Sequence, residues 1–268
     1  MKNKWIITAI LVIAASGAGI FWLGYKNEDE IKPPAISDYS VSEKSVEEMT
    51  DFYRITAKYP IDPLDKDGAI KEFIDYQVNQ RKEDWKTGGE IHNQEKELEE
   101  RFPDRPKMVY SMDIIYEKYV SEKMGTVSYV FTIGEYTGGA NANARVQSFS
   151  LNQEGQIFIE DILDLANNYN DVNLSKTLLD KALSDSERFP VADIVEEGLG
   201  LAFLKDDDIT FDQKKCSCDG FLFASNFQNF AITDDGIIFF FGKYQITIGA
   251  SGVVDIVLSW SELAPYLK

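Results

Sequence analysis

Two runs of alternating apolar and polar residues set the strongest constraint on how this chain can fold. From Met108 to Tyr116, and again from Val127 to Ile133, every second residue is apolar or aromatic. That period of two is typical of β-strands that bury one face. The polar segment from Ser121 to Gly125 lies between the two runs and predicts a chain reversal. A third strand is predicted from Arg145 to Leu151, so we expect an antiparallel β-meander at the centre of the chain.

The connection between the second and third of these strands is rich in glycine and asparagine. Residues 135–144 read Glu-Tyr-Thr-Gly-Gly-Ala-Asn-Ala-Asn-Ala. Glycine and asparagine tolerate positive φ, and glycine lets another group approach the backbone closely. The segment is therefore either an ordinary strand connection or a ligand-facing loop held between two rigid strands. The second hypothesis nominates six ligand-binding residues: Tyr136, Thr137, Gly138, Gly139, Asn141 and Asn143.

Helical patterns occur on both sides of the meander. Apolar residues spaced three and four apart from Ile70 to Val78 predict an amphipathic helix, and the Glu/Lys-rich run from Thr87 to Glu100 predicts a solvated one. Leu174, Leu178 and Ala182 indicate a helix that begins near Asn173, and Pro190 is expected to begin another.

The last fifty residues are again strand-like. Phe227 to Thr233 and Ile237 to Phe241 flank Asp234-Asp235-Gly236, in which Asp-Gly is a preferred type I′ turn pair. Further strands are predicted at Tyr244 to Ile248 and Val253 to Leu258, followed by a short closing helix. The predicted fold class is α+β, with antiparallel sheets, a few packed helices and one N-terminal transmembrane helix.

The transmembrane prediction comes from Trp5 to Leu23, nineteen residues without a charge. At ~1.5 Å per residue this segment matches the ~30 Å hydrocarbon core of a bilayer. Lysines before it and acids after it predict a cytoplasmic amino end and a body outside the cytoplasm, at the cell membrane. A cleaved signal peptide, cut near Ser16-Gly17-Ala18, is the alternative, and both interpretations predict export. The predicted organisation is anchor 1–26, acidic linker 27–48, small strand-helix unit 49–106 and α+β domain 107–268.

The net charge of −18 bears on the partners of the chain. The first 26 residues contain three lysines and no acid, so the acidity lies entirely in the body. Such a surface repels nucleic acid and attracts cationic partners, most strongly at low salt. We therefore expect no nucleic-acid partner.

The sequence nominates no catalytic residue, metal site or cofactor. Cys216, Cys218 and the single His92 do not have the spacing of a zinc site. The acidic segment from Asp62 to Gly68 does not fit a calcium-binding loop, because Pro63 and Ile74 would occupy ligand positions. A polysaccharide hydrolase that uses two carboxylates remains an alternative, although no pair stands out among 45 acidic residues.

Three segments in a fixed order resemble a known bacterial domain. They are Tyr136 to Asn141, then Asp161-Ile162-Leu163 after a turn at Gly155, and finally Phe230 to Gly236 continuing to Leu263-Ala264-Pro265-Tyr266-Leu267. Together they resemble the exported domain shared by RsiV-type anti-sigma factors and the non-catalytic region of the peptidoglycan deacetylase PdaC. The likeness runs from about Tyr110 to the C-terminus.

This resemblance implies an α+β fold and an extracytoplasmic location. It also implies a binding role, because the RsiV-type domain recognises lysozyme, which is a cationic protein. One difference is that Asn141 stands where the family commonly has histidine. We therefore expect a non-enzymatic, membrane-tethered binding or sensing module of the cell envelope. Its expected ligand is a cationic protein or a cell-wall glycan.

Overall fold

The computed structural model describes residues 40–104, 108–138, 141–205, 209–212, 214–215 and 222–268. The predicted membrane anchor lies outside these ranges, as do Gly139, Cys216 and Cys218. Within the described ranges, no helix combines the length and the apolarity needed to cross a bilayer.

A six-stranded sheet forms the centre of the described structure, with its strands in chain order. Neighbouring strands are antiparallel except for the second and third, which pair in parallel with Tyr53 opposite Tyr110. The strands are β1 (Ser42–Met49), β2 (Tyr53–Ile61), β3 (Tyr110–Ser121), β4 (Thr126–Tyr136), β5 (Asn143–Asn152) and β6 (Gly155–Ile157). The predicted meander corresponds to β3, β4 and β5.

β1 is a strand where the sequence predicted the end of an acidic linker. It pairs with β2 along its whole length, from Ser42 opposite Ile61 to Met49 opposite Arg54. Nearly all of its side chains are exposed, so no alternation of apolar residues marks it as a strand. The predicted boundary between residues 106 and 107 falls between β2 and β3, which belong to the same sheet.

Two helices follow β2 in the chain, α1 (Ala69–Trp85) and α2 (Glu90–Arg101). Ile70 and Ile74 of α1 are fully buried and belong to one apolar cluster with Ile55 of β2 and Phe131 of β4. α1 therefore covers one face of the large sheet. α2 is mostly solvent-exposed, in agreement with its charged sequence.

The other face of the large sheet contacts a second, three-stranded antiparallel sheet. Its strands are β7 (Phe230–Ile232), β8 (Gly236–Phe241) and β9 (Val254–Ser259), and β7 is an edge strand. The amide of Ile232 donates to Ser128 Oγ over 3.0 Å, and that of Phe230 donates to Ser148 Oγ over 2.8 Å. Serines of the large sheet thus satisfy edge amides that would otherwise be buried without a partner.

Helices cover the far face of the small sheet. They are α3 (Ile159–Ile162), α4 (Asn170–Leu183), α5 (Ala192–Gly198), α6 (Leu222–Ser225) and α7 (Trp260–Leu263). Leu178 of α4 and Val195 of α5 are fully buried in one cluster with Phe239 of β8. The molecule is therefore layered as helix, sheet, sheet and helices, which confirms the predicted α+β class with antiparallel sheets.

The strand predicted at Tyr244 to Ile248 is not formed. These residues make a loop that ends in a 3-10 turn over Gly249–Ser251. Tyr244 has a φ of 68°, which interrupts any extended conformation. Of the three alternating residues that suggested a strand, Ile246 is buried, whereas Tyr244 and Ile248 are exposed.

Candidate functional site

The glycine- and asparagine-rich connection lies at one end of the large sheet, between β4 and β5. Tyr136 is the last residue of β4 and is half-buried, whereas Thr137 and Gly138 are exposed. Asn141 is exposed, and Asn143 begins β5 with its Oδ1 accepting the amide of Ala144 over 3.0 Å. Five of the six nominated residues therefore lie together at this end, and Gly139 lies outside the described residues.

Gly138 adopts the left-handed conformation that the sequence predicts for this segment, with φ 88°. A Cβ at this position would lie 3.4 Å from Met108 Cε and 3.7 Å from the hydroxyl of Tyr110. The connection therefore lies against the start of β3. Glycine is favoured here because of the positive φ.

An ionic cluster fixes the base of the connection; we call it the Glu135 cluster, formed by Glu135, Arg81 and Arg145. Glu135 is 5% exposed and is paired with Asn143 across β4 and β5. Its carboxylate accepts two hydrogen bonds from Arg81 of α1, over 2.9 and 3.2 Å, and one of 2.8 Å from Arg145 of β5. Bidentate arginine–carboxylate contacts of this kind fix the relative orientation of the two side chains. The cluster thereby ties α1 to the ends of both strands that carry the connection.

The electrostatics of the cluster favour an ionised Glu135. Burial by itself would raise its pKa, but the hydrogen bonds and charges of Arg81 and Arg145 outweigh burial and hold the pKa below its ordinary value. A general acid needs the opposite shift. Glu135 is therefore suited to a structural role.

The acidic helix α2 borders the connection on one side. Tyr110, which contacts Gly138, donates its hydroxyl hydrogen bond to the buried carboxylate of Glu95 on α2. The side chains of Glu97, Glu99 and Glu100 are exposed on the same helix. The connection therefore lies beside a helix whose exposed side chains are rich in acids.

The loop after β8 borders the connection on the other side. Lys243 donates from Nζ to the carbonyl of Ala142 over 2.5 Å and from its amide to that of Ala144 over 3.1 Å. The Lys243 ammonium lies 4.9 Å from the centroid of the Tyr244 ring, and that ring is 60% exposed. Sequence reasoning missed Arg81 and Lys243, because each meets the connection only through long-range packing.

Among the described residues, other buried carboxylates also hold structural elements together. Asp62 accepts from the hydroxyl of Tyr129 over 2.6 Å and from the amide of Leu64 over 2.9 Å. No group of three or more His, Cys, Asp or Glu side chains in the described ranges is arranged to hold a metal ion.

The fold and this site define an α+β domain of two stacked sheets with an exposed, anchored connection at one end. A family model described as "Protein of unknown function (DUF3298)" matches residues 177–261, which extend from α4 into α7. No curated protein matches the chain.

Two solved structures are similar to this chain. A member of the DUF3298 family from Bacteroides fragilis NCTC 9343 superimposes with a TM-score of 0.57 and 17% identity, over 88% of this chain and 96% of that one. A DUF3298 family protein from Pseudomonas aeruginosa PAO1 gives a TM-score of 0.49 and 11% identity, over 88% and 95% of the two chains. At 17% identity, the likeness to the first structure concerns the fold alone.

Proposed function

We propose that this chain is a membrane-tethered binding or sensing module of the bacterial cell envelope, and that its ligand is a cationic protein. The ligand docks on the connection between Tyr136 and Asn143 and on the neighbouring helix α2. The charge-free segment from Trp5 to Leu23 supports the tether and the export of the body. We also propose a relationship to the RsiV-type exported domain, which rests on the sequence segments that resemble it.

The observation that carries this proposal is the anchoring of an exposed connection. Thr137, Gly138 and Asn141 are open to solvent, yet the residues around them are held by the Glu135 cluster and by Lys243. Residues that are already held in place lose little conformational entropy when a partner binds. Exposed polar residues on a rigid support are the usual arrangement of a recognition loop.

Charge favours a cationic protein as the ligand. The overall charge of −18 attracts a positively charged partner over long distances, and Glu97, Glu99 and Glu100 are exposed on α2, the helix that borders the connection. Exposed charges contribute mainly to the rate of encounter. Binding should therefore weaken as salt rises and the screening length shortens.

The first experiment measures binding of the purified chain to lysozyme, used as the cationic probe, at ~0.05 M and ~0.3 M salt by biolayer interferometry. We expect binding that is stronger at the lower salt concentration. Replacement of Asn141 by Trp should abolish it while leaving the thermal midpoint unchanged, because the side chain is exposed. Purified peptidoglycan is tested in parallel. Retention of the glycan without lysozyme would reject the cationic-protein ligand.

Matched charge variants test the contribution of α2. The E99Q/E100Q pair removes two exposed charges from the last turn of α2, and E122Q/E154Q removes two from the turns at the opposite end of β4 and β5. We expect the α2 pair to weaken binding at low salt by roughly threefold to tenfold, equivalent to ~0.7–1.4 kcal/mol. The control pair should have a much smaller effect. Equal losses from both pairs would show that only net charge matters, and would remove α2 from the site.

A further inference from the structure

A concave site lies away from the connection, where β5 and β6 meet the segment before β7. It is a pocket of about 260 Å³. Its lining residues on β5, Gln147 to Ser150, are four to seven positions along the strand from Asn143. At ~3.4 Å per residue, that places the pocket ~13–24 Å from the connection.

The floor of the pocket is rigid. Ser148 and Ser150 line it, and their hydroxyl groups bond the backbone of Phe230, over 2.8 Å to the amide and 3.4 Å to the carbonyl. A third bond, 3.0 Å from the Ser148 amide to Asn229 Oδ1, joins β5 to the residue before β7. The floor of the pocket is therefore held by hydrogen bonds between the large sheet and the segment that leads into the small one.

The rim carries polar side chains that have no partner within the described part of the chain. Gln156, Gln228 and Glu160 line the pocket, and none of the three side chains makes a hydrogen bond or an ion pair there. Each glutamine offers two N–H donors and a carbonyl acceptor. An apolar ligand would bury these groups without compensation, so the pocket requires a ligand with many hydrogen-bonding groups.

The rim also presents an aromatic ring. Phe158 lines the pocket and is 56% exposed, although it lies between two buried or half-buried isoleucines. Its ring offers a flat apolar surface beside the amides. None of the described residues that line the pocket is basic, and Glu160 adds a negative charge, so phosphate- and carboxylate-bearing ligands are disfavoured.

We propose that this pocket binds a neutral saccharide. A sugar ring has an apolar face of C–H groups that can stack on Phe158. Its edge carries neighbouring hydroxyls that can both donate to and accept from Gln156 and Gln228. The volume lies just below the roughly 300–1,000 Å³ of sites for drug-sized ligands, which suits a single ring of a longer oligosaccharide.

The test titrates the full chain with three probes, chitotriose, cellotriose and glucose 6-phosphate, by isothermal titration calorimetry. We expect at least one neutral trisaccharide to bind and glucose 6-phosphate not to bind. Phe158→Ala should weaken that binding at least tenfold, and the double variant Q156A/Q228A should do the same. Phe102→Ala is the matched control, because Phe102 is 51% exposed and lies outside the pocket.

Clear outcomes would overturn the proposal. The first is that neither trisaccharide binds at concentrations up to ~10 mM. The second is that glucose 6-phosphate binds as tightly as a trisaccharide. The third is that Phe158→Ala binds the trisaccharide with the same affinity as the wild type. The Phe158 side chain is more than half exposed, so its variant is expected to melt at the wild-type temperature. Phe158→Ala should also leave lysozyme binding unchanged. A failure of the saccharide proposal can therefore be distinguished from a failure of the proposed lysozyme site at the connection.

Discussion

The two faces of β4 are packed by different chemistry. Tyr129, Phe131 and Ile133 point toward α1 and lie in an apolar cluster with almost no exposure. On the opposite face, the hydroxyl of Ser128 bonds Ser150 Oγ over 2.8 Å and accepts the amide of Ile232 over 3.0 Å. One face therefore buries mainly apolar and aromatic side chains, whereas the other combines a small apolar cluster around Val130 and Phe240 with hydrogen bonds to the backbone of a neighbouring sheet.

This difference determines what each face can specify. Apolar burial is non-directional and contributes most of the stability. Hydrogen bonds to backbone amides work only at defined distances and angles, so they fix the position of β7 on the large sheet. We conclude that the helix face, with the larger apolar cluster, contributes more of the stability, and that the serines of the other face align the two sheets.

Phe131→Ala should have the largest effect on stability. The side chain is fully buried among aromatic neighbours, with ring centroids 5.8 Å from Phe73 and 5.9 Å from Phe149. Removal of a buried phenylalanine costs about 3–5 kcal/mol. Urea unfolding followed by circular dichroism measures the loss. Ile115→Ala, at a position that is 59% exposed on β3, is the control and should cost less than ~1 kcal/mol.

Glu135→Gln should have an intermediate effect that depends on pH. The variant removes the charge from three hydrogen bonds but can keep them as neutral ones, and Arg145 is partly exposed, so we expect a total loss of roughly 1.5–3 kcal/mol. The pKa of Glu135 is lower in the folded chain than in the unfolded chain, so the ionised group stabilises the fold above the unfolded value of ~4.3. That stabilisation is lost as the pH falls through the folded pKa.

Unfolding free energies measured from pH 7 to pH 3 test this account. The wild type should lose its advantage over Glu135→Gln as the pH falls below ~4.3. A difference that stays constant across this range would mean that the carboxylate charge plays no part in anchoring the connection.

Ser128→Ala should have the smallest effect of the three. It leaves the buried amide of Ile232 without its acceptor, at a cost of roughly 1–2 kcal/mol. Ser45→Ala, at an exposed position on β1, should cost close to nothing. A double-mutant cycle with Ser148→Ala tests whether the two serines act together on β7. Strict additivity would contradict joint alignment of that strand.

The sequence predicted the local features of the fold well. Alternation identified β3 and β4, and the hairpin of β7 and β8 was confirmed. The sequence predicted Asp235 and Gly236 as the two central residues of the turn. In the structure the Thr233 amide donates to the Gly236 carbonyl, so the central residues are Asp234 and Asp235. Gly236 instead lies in β8, where a Cβ would be 2.0 Å from the carbonyl oxygen of Leu258.

Long-range relationships could not be predicted in the same way. The parallel pairing of β2 with β3 joins Tyr53 to Tyr110 across two helices, and no periodicity encodes it. The connection was found from its composition, but Arg81 is 54 residues away from Glu135 in the chain. Arg81 and Glu135 meet because the whole of α1 packs on the large sheet. A short stretch of sequence carries no information about that packing.

Gly198, at the end of α5, links the outer helices to the connection. A Cβ on this residue would lie 1.7 Å from the carbonyl oxygen of Gln245, so only glycine lets α5 touch this backbone. Gln245 is in the same short loop as Lys243, which holds Ala142 and Ala144. A side chain at residue 198 would therefore displace that loop and loosen its hold on the start of β5. Substitutions in the helical layer can in this way change the shape of the connection without altering any of its own residues.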